Sequence, residues 1–136
     1  MITPLYLKTW ITAKAAARRL RHPVVTSEHL LYACLRLHDQ RHWELCRGLP
    51  VTADIVWSHL RQNPPSEKSE DFAGVPLGLS AKAAFERAEA EVATHQNRTV
   101  GTQSLMRALL SEPCGPVRVL LDSCRAVTSH TSDESP

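Results

Sequence analysis

The chain states one short pattern twice. Val25-Thr26-Ser27-Glu28-His29-Leu30-Leu31 and Val100-Gly101-Thr102-Gln103-Ser104-Leu105-Met106 run in the same order: a β-branched residue, two small ones, a polar pair, two large apolar ones. A hydroxyl residue ahead of an apolar run with helical spacing marks a helix start, because its oxygen accepts a first-turn amide that has no partner inside the helix. Ser27 and Thr102 hold that position. Glu28 follows where the helix dipole favours a carboxylate. Each start is also an electropositive hollow receptive to anions.

Sliding the sequence against itself by ~75 residues brings the two strings together and carries their surroundings with them. Trp10 falls on Phe85, Ala13 on Ala88, Ala17 on Val92, Leu30 on Leu105, Cys34 on Leu109 and Leu45 on Leu120. Apolar positions meeting apolar positions across three helices at one offset indicate a tandem duplication. The expectation is an all-α domain over 1–125, built from two four-helix units related by a pseudo-twofold axis.

In order, Thr3-Pro4 opens a helix to about Leu20 with Trp10, Ala13, Ala17 and Leu20 on one face. His22-Pro23 stops it. A second helix runs from Ser27 to about Leu37 and buries Leu30, Leu31, Cys34 and Leu35. A third covers His42 to Arg47. Thr52 caps a fourth whose inner face is Ile55, Val56 and Leu60, closing repeat one (3–62). Residues 63–78, rich in Pro, Ser, Glu and Gly, form a mobile surface linker. In repeat two (79–125), Ser80 opens a fifth helix facing inward with Ala81, Phe85, Ala88 and Val92. Thr102 opens a sixth with Leu105, Met106 and Leu109, and a seventh from Val117 to Cys124 carries Val119, Leu120 and Leu121. The eighth would fall on Val127 to Ser135, which has almost no apolar face, so 126–136 reads as a disordered tail and the count as seven helices.

Composition narrows the classes. Of the 136 residues 43% are hydrophobic and 22% charged, globular values that allow a core without metal or disulfides. Cys34, Cys46, Cys114 and Cys124 show no CxxC spacing and fit reduced thiols, hence a cytoplasmic protein. No apolar run reaches membrane-spanning length. The net charge of +2 does not dictate a partner, but Lys8, Lys14, Arg18, Arg19 and Arg21 all precede the first acidic residue.

With both strings in place, the chain resembles the Clp repeat, the N-terminal domain of the Clp family of AAA+ unfoldases, whose usual string is Gly-Thr-Glu-His-Leu-Leu. The resemblance spans residues 3 to about 125. It implies a docking domain without catalytic activity or cofactor, which binds substrates and adaptor proteins for a Clp ATPase, or here competes for them. In some members each repeat also holds phosphorylated arginine, with the glutamate after the cap pairing with the guanidinium group. By position that glutamate is Glu28 in repeat one and the neutral Gln103 in repeat two, so one such pocket at most is expected. The implied partner- or ligand-contacting set is Thr3, Ser27, Glu28, Thr102 and Gln103. The family's nucleotide-binding G-x-x-x-x-G-K-[ST] does not occur in this sequence.

Other groupings are weaker. Cys34, His38 and His42 are spaced by four and would share a helix face as a zinc site, but Cys34 matches a core leucine in the other repeat. His29 and His59 read as hydrogen-bonding or surface residues rather than catalytic ones. Arg18, Arg19 and Arg21 complement the dipole at the end of the first helix. The alternative for that basic face is nucleic-acid binding, which the small net charge disfavours. No nucleophile–base pair or paired carboxylates at useful spacing occur, so an enzyme is not expected.

Overall fold

The computed structural model describes residues 4–37, 51–65, 69–72, 75–94, 102–111 and 115–124. They form α1 (Pro4–Arg19), α2 (Ser27–Leu37), α3 (Ala53–Gln62), β1 (Ser69–Phe72), β2 (Val75–Gly78), α4 (Leu79–Thr94) and α5 (Thr102–Leu110), with α6 over 116–124. The fold is all-α apart from one small hairpin. The helix expected at His42 to Arg47 and the tail expected at 126–136 lie outside the described residues.

Burial follows the duplication. Thr9, Ala13, Leu30, Leu31, Ala33 and Cys34 are buried, and so are Ala84, Ala88, Leu105, Met106, Ala108 and Leu109, their counterparts at the offset of ~75 residues. All of them except Thr9, Ala88 and Ala108 join one continuous core across the two repeats, closed by Val56 and Leu60 from α3 and Val117, Leu120 and Leu121 from α6. At its centre α2 packs against α1, α3, α4 and α5. Small residues on α1 and α4 (Ala13, Ala17, Ala81, Ala84) let the helices approach closely.

Some of the expected inward positions turn out otherwise. Trp10 and Phe85 are half-buried and pack against the core rather than filling it. Ile55 and Val119 are 41% and 60% exposed. In these helices the inward positions are taken by Val56 in α3 and by Leu120 and Leu121 in α6.

Helix α1 ends on a Schellman turn. Arg21 sits at φ 58, His22 N–H bonds to the Ala17 carbonyl at 2.9 Å, and Arg21 N–H bonds to the Arg18 carbonyl at 3.0 Å. The left-handed position normally favours glycine, so an arginine there carries a backbone cost. Thr52 caps α3 as its sequence signal predicts, its hydroxyl accepting from Ile55 N–H.

The segment expected as a linker contains the hairpin. β1 and β2 pair antiparallel from Ser69↔Gly78 to Phe72↔Val75. β2 also bridges Val25 in parallel: Val25 N–H donates to the Pro76 carbonyl at 3.0 Å, and Gly78 N–H donates to the Val25 carbonyl at 2.8 Å. The chain between repeats is thereby fastened to the loop that precedes α2.

Candidate functional site

The start of α2 is the better-described copy of the repeated string, and its polar groups make contacts within the chain. The helix begins at Ser27, so the capping position belongs to Thr26, one residue earlier than the sequence pattern predicts. Thr26 N–H donates to His29 Nδ1 at 2.9 Å, while the Thr26 carbonyl accepts from the amides of His29 and Leu30. The bond from Thr26 N–H to the His29 ring is one half of a capping box, with histidine where glutamate or glutamine is usual; the Thr26 hydroxyl lies 3.0 Å from His29 Nδ1 rather than on the His29 amide.

That geometry fixes the tautomer. An amide can only donate, so His29 Nδ1 carries a lone pair and Nε2 carries the hydrogen. His29 Nε2–H then donates to His22 Nδ1 at 3.0 Å, and His22 bonds through its other nitrogen to the backbone of Leu60. Two neutral imidazoles thus tie the end of α1, the start of α2 and the end of α3 together. Burial, and secondarily the nearby His22, push His29 down to about 3. Burial also lowers His22, partly opposed by its bond to Leu60.

Ser27 is buried, and its amide donates to Ser80 Oγ at 3.0 Å, 53 residues away at the head of α4. An unpaired first-turn amide of repeat one is therefore satisfied by repeat two. Glu28 is only 5% exposed, and its carboxylate lies 2.7 Å from His59 Nε2 of α3. His59 Nδ1 faces Asn63 Nδ2 at 3.4 Å. Burial holds the His59 ring below its ordinary value, so at neutral pH a neutral imidazole lies against the carboxylate.

The remaining sequence candidates are placed as follows. Thr102 is the first residue of α5, so like Ser27 it stands one place past the capping position the pattern gives it; the side chains of Thr102 and Gln103 lie outside the described residues, as do Thr3, His38 and His42. Cys34 is fully buried in the core and forms no disulfide. Among the described residues no group of His, Cys, Asp and Glu could hold a metal ion, and no helix is long and apolar enough to cross a membrane.

The C-terminal end of α5 is closed by cations from its own repeat. Arg87 Nη2 donates to the Ala108 carbonyl at 3.1 Å and Arg118 Nη2 to the Leu110 carbonyl at 2.8 Å, each reaching a last-turn oxygen. Arg107 pairs with Glu91 across to α4.

Sequence reasoning treated His29 as one hydrogen-bonding histidine among several and missed its pairing with His22. The available signal was Thr26-x-x-His29 read as a capping box with an unusual fourth member.

The model of the Clp repeat (R) N-terminal domain matches residues 7–124. The chain belongs to that family. Eighteen chains of solved structures match it. One is the crystal structure of the N-terminal domain of the caseinolytic protease associated chaperone ClpD from Arabidopsis thaliana, 18% identical, covering 94% of each chain with a TM-score of 0.61. At that identity the likeness establishes the fold alone. No curated protein matches the sequence.

Proposed function

We propose that the chain is a non-catalytic docking domain that binds substrates or adaptors of a cytoplasmic Clp ATPase–protease system, or competes for them. The observation that supports this reading is the family match over 7–124, on a fold whose two repeats share a single core. In Clp chaperones the domain of this family binds substrates and adaptors. A single core, closed internally at the start of α2, suits presentation of an outer surface better than chemistry on a bound molecule.

A phosphoarginine pocket at Ser27 and Glu28 is the narrower alternative. It requires His59 to leave the Glu28 carboxylate, and the ligand must compensate for that lost bond. The test of the main reading is reconstitution. Added to an assembled Clp ATPase and its protease, the purified chain changes the degradation rate of a reporter substrate while hydrolysing no ATP alone. Intrinsic ATP hydrolysis, or a reporter rate indifferent to the chain at saturating amounts, overturns it.

A further inference from the structure

We propose that the outer face of α1, together with the cleft at its C-terminal end, docks an extended peptide segment in which acidic and apolar residues are mixed. The inference rests on the docking reading above and names the chemistry of the partner.

The cleft is lined by Lys14, Ala17 and Arg18 of α1, by His22 to Val25 of the following loop, and by Pro76 of β2. Its walls mix apolar side chains with the two cations, none of its lining residues is acidic, and His22 presents a neutral ring whose two nitrogens are used inside the protein. Among the described residues neither Lys14 nor Arg18 has an acidic partner; the Lys14 ammonium lies 5.4 Å above the Trp10 ring. Two cations with no acidic partner among the described residues, set beside Ala17, Pro23, Val24, Val25 and Pro76, favour a carboxylate attached to hydrocarbon.

Size decides between a free small molecule and a peptide. The cleft offers about 100 Å³, below the ~300–1,000 Å³ of sites that enclose a whole small ligand. It takes one side chain presented by something larger.

The surface leading to it supplies the rest. At 3.6 residues per turn Lys8, Ile11, Lys14 and Arg18 fall on one side of α1. Ile11 is 59% exposed there, with exposed Lys8 a turn before it and the cleft's Lys14 a turn after. From Lys8 to Arg18 the helix rises ~15 Å, the length of about five extended residues. Charge and hydrocarbon alternate along that path, so the complementary segment carries several carboxylates and at least one branched apolar side chain.

The test is a titration of the isotopically labelled full chain, followed by amide NMR, with an acetylated and amidated pentapeptide alternating glutamate and leucine. Blocked ends leave only side-chain carboxylates. Shifts are expected along α1 and at Val24 and Val25, with affinity falling at least tenfold for the glutamine-and-leucine analogue and for the Lys14→Gln/Arg18→Gln variant. That variant must keep the parent's unfolding midpoint. Equal binding of the neutral analogue, shifts centred elsewhere, or tighter occupation of the same residues by inorganic phosphate or a single-stranded oligonucleotide overturns the proposal. The two readings fail separately: a chain that alters reporter degradation but ignores this peptide loses the surface and keeps the docking function.

Discussion

Trp10 and Phe85 meet edge to face, their ring centroids 5.7 Å apart and their planes at 78°. They are also equivalents of each other in the duplication, at the offset of ~75 residues. A residue touches its own symmetry mate only beside the symmetry axis. This pair therefore locates the pseudo-twofold axis between α1 and α4. A double-mutant cycle over Trp10→Ala and Phe85→Ala should give a coupling of about 0.5–1.5 kcal/mol, the range of aromatic pairs beyond their burial. Strictly additive losses in urea unfolding would mean that the rings sit near each other without supporting each other.

The His29 network makes stability depend on acid. His29 is held neutral in the fold at about 3, against 6.5 for the free side chain. Between those values the unfolded chain binds more protons than the folded one, so stability is complete above about pH 6.5 and declines as pH falls through the window. One such group costs ~1.4 kcal/mol per pH unit within it. His22 and His59, both lowered by burial, act in the same direction. Unfolding free energy measured from pH 7.5 to 4 should therefore drop steeply. His29→Gln keeps an acceptor for the Thr26 amide and does not titrate, so its profile should be flatter; an unchanged slope would assign the acid sensitivity elsewhere.

The bond from Ser27 N–H to Ser80 Oγ is a helix cap supplied by the other repeat. The offset of ~75 residues places Leu5 opposite Ser80, and leucine has no hydroxyl to return the favour. Ser80→Ala should cost about 0.5–2 kcal/mol, the usual cost of losing a capping oxygen. It should also speed hydrogen exchange at the Ser27 amide specifically. Loss of stability without that local change would point to packing at the head of α4 rather than to the cap.

Arg21 holds the left-handed position of the turn after α1. Arg21→Gly removes the clash of its Cβ at φ 58 and should raise stability by about 0.5–1 kcal/mol in chemical denaturation. A loss would show that the side chain contributes more than its backbone costs.

The repeated string and its offset made most of the architecture legible in advance. Leu30, Leu31, Leu105, Met106 and Leu109 face inward where their spacing predicts, because helical periodicity is a local property. What escaped the reading is long-range. The hairpin of 69–78 lies in a Pro- and Gly-containing stretch with no periodicity of its own, and its second strand is held from outside by Val25. Nor does any local signal announce that Ser80 reaches Ser27 or that His59 reaches Glu28. Those pairings exist only once the core has brought α2 against α3 and α4. For the same reason the sequence read Glu28 only as a first-turn acid favoured by the helix dipole or a ligand contact, and did not show that it is buried against a histidine.

Affinity capture with the full chain as bait, followed by identification of the retained proteins, bears most directly on the docking function. A Clp ATPase, one of its adaptors or one of its degradation substrates should be enriched, and enrichment should fall in high salt if the basic face of α1 is the surface used. Retention of nucleic acid or metabolites in place of any such protein would contradict the account.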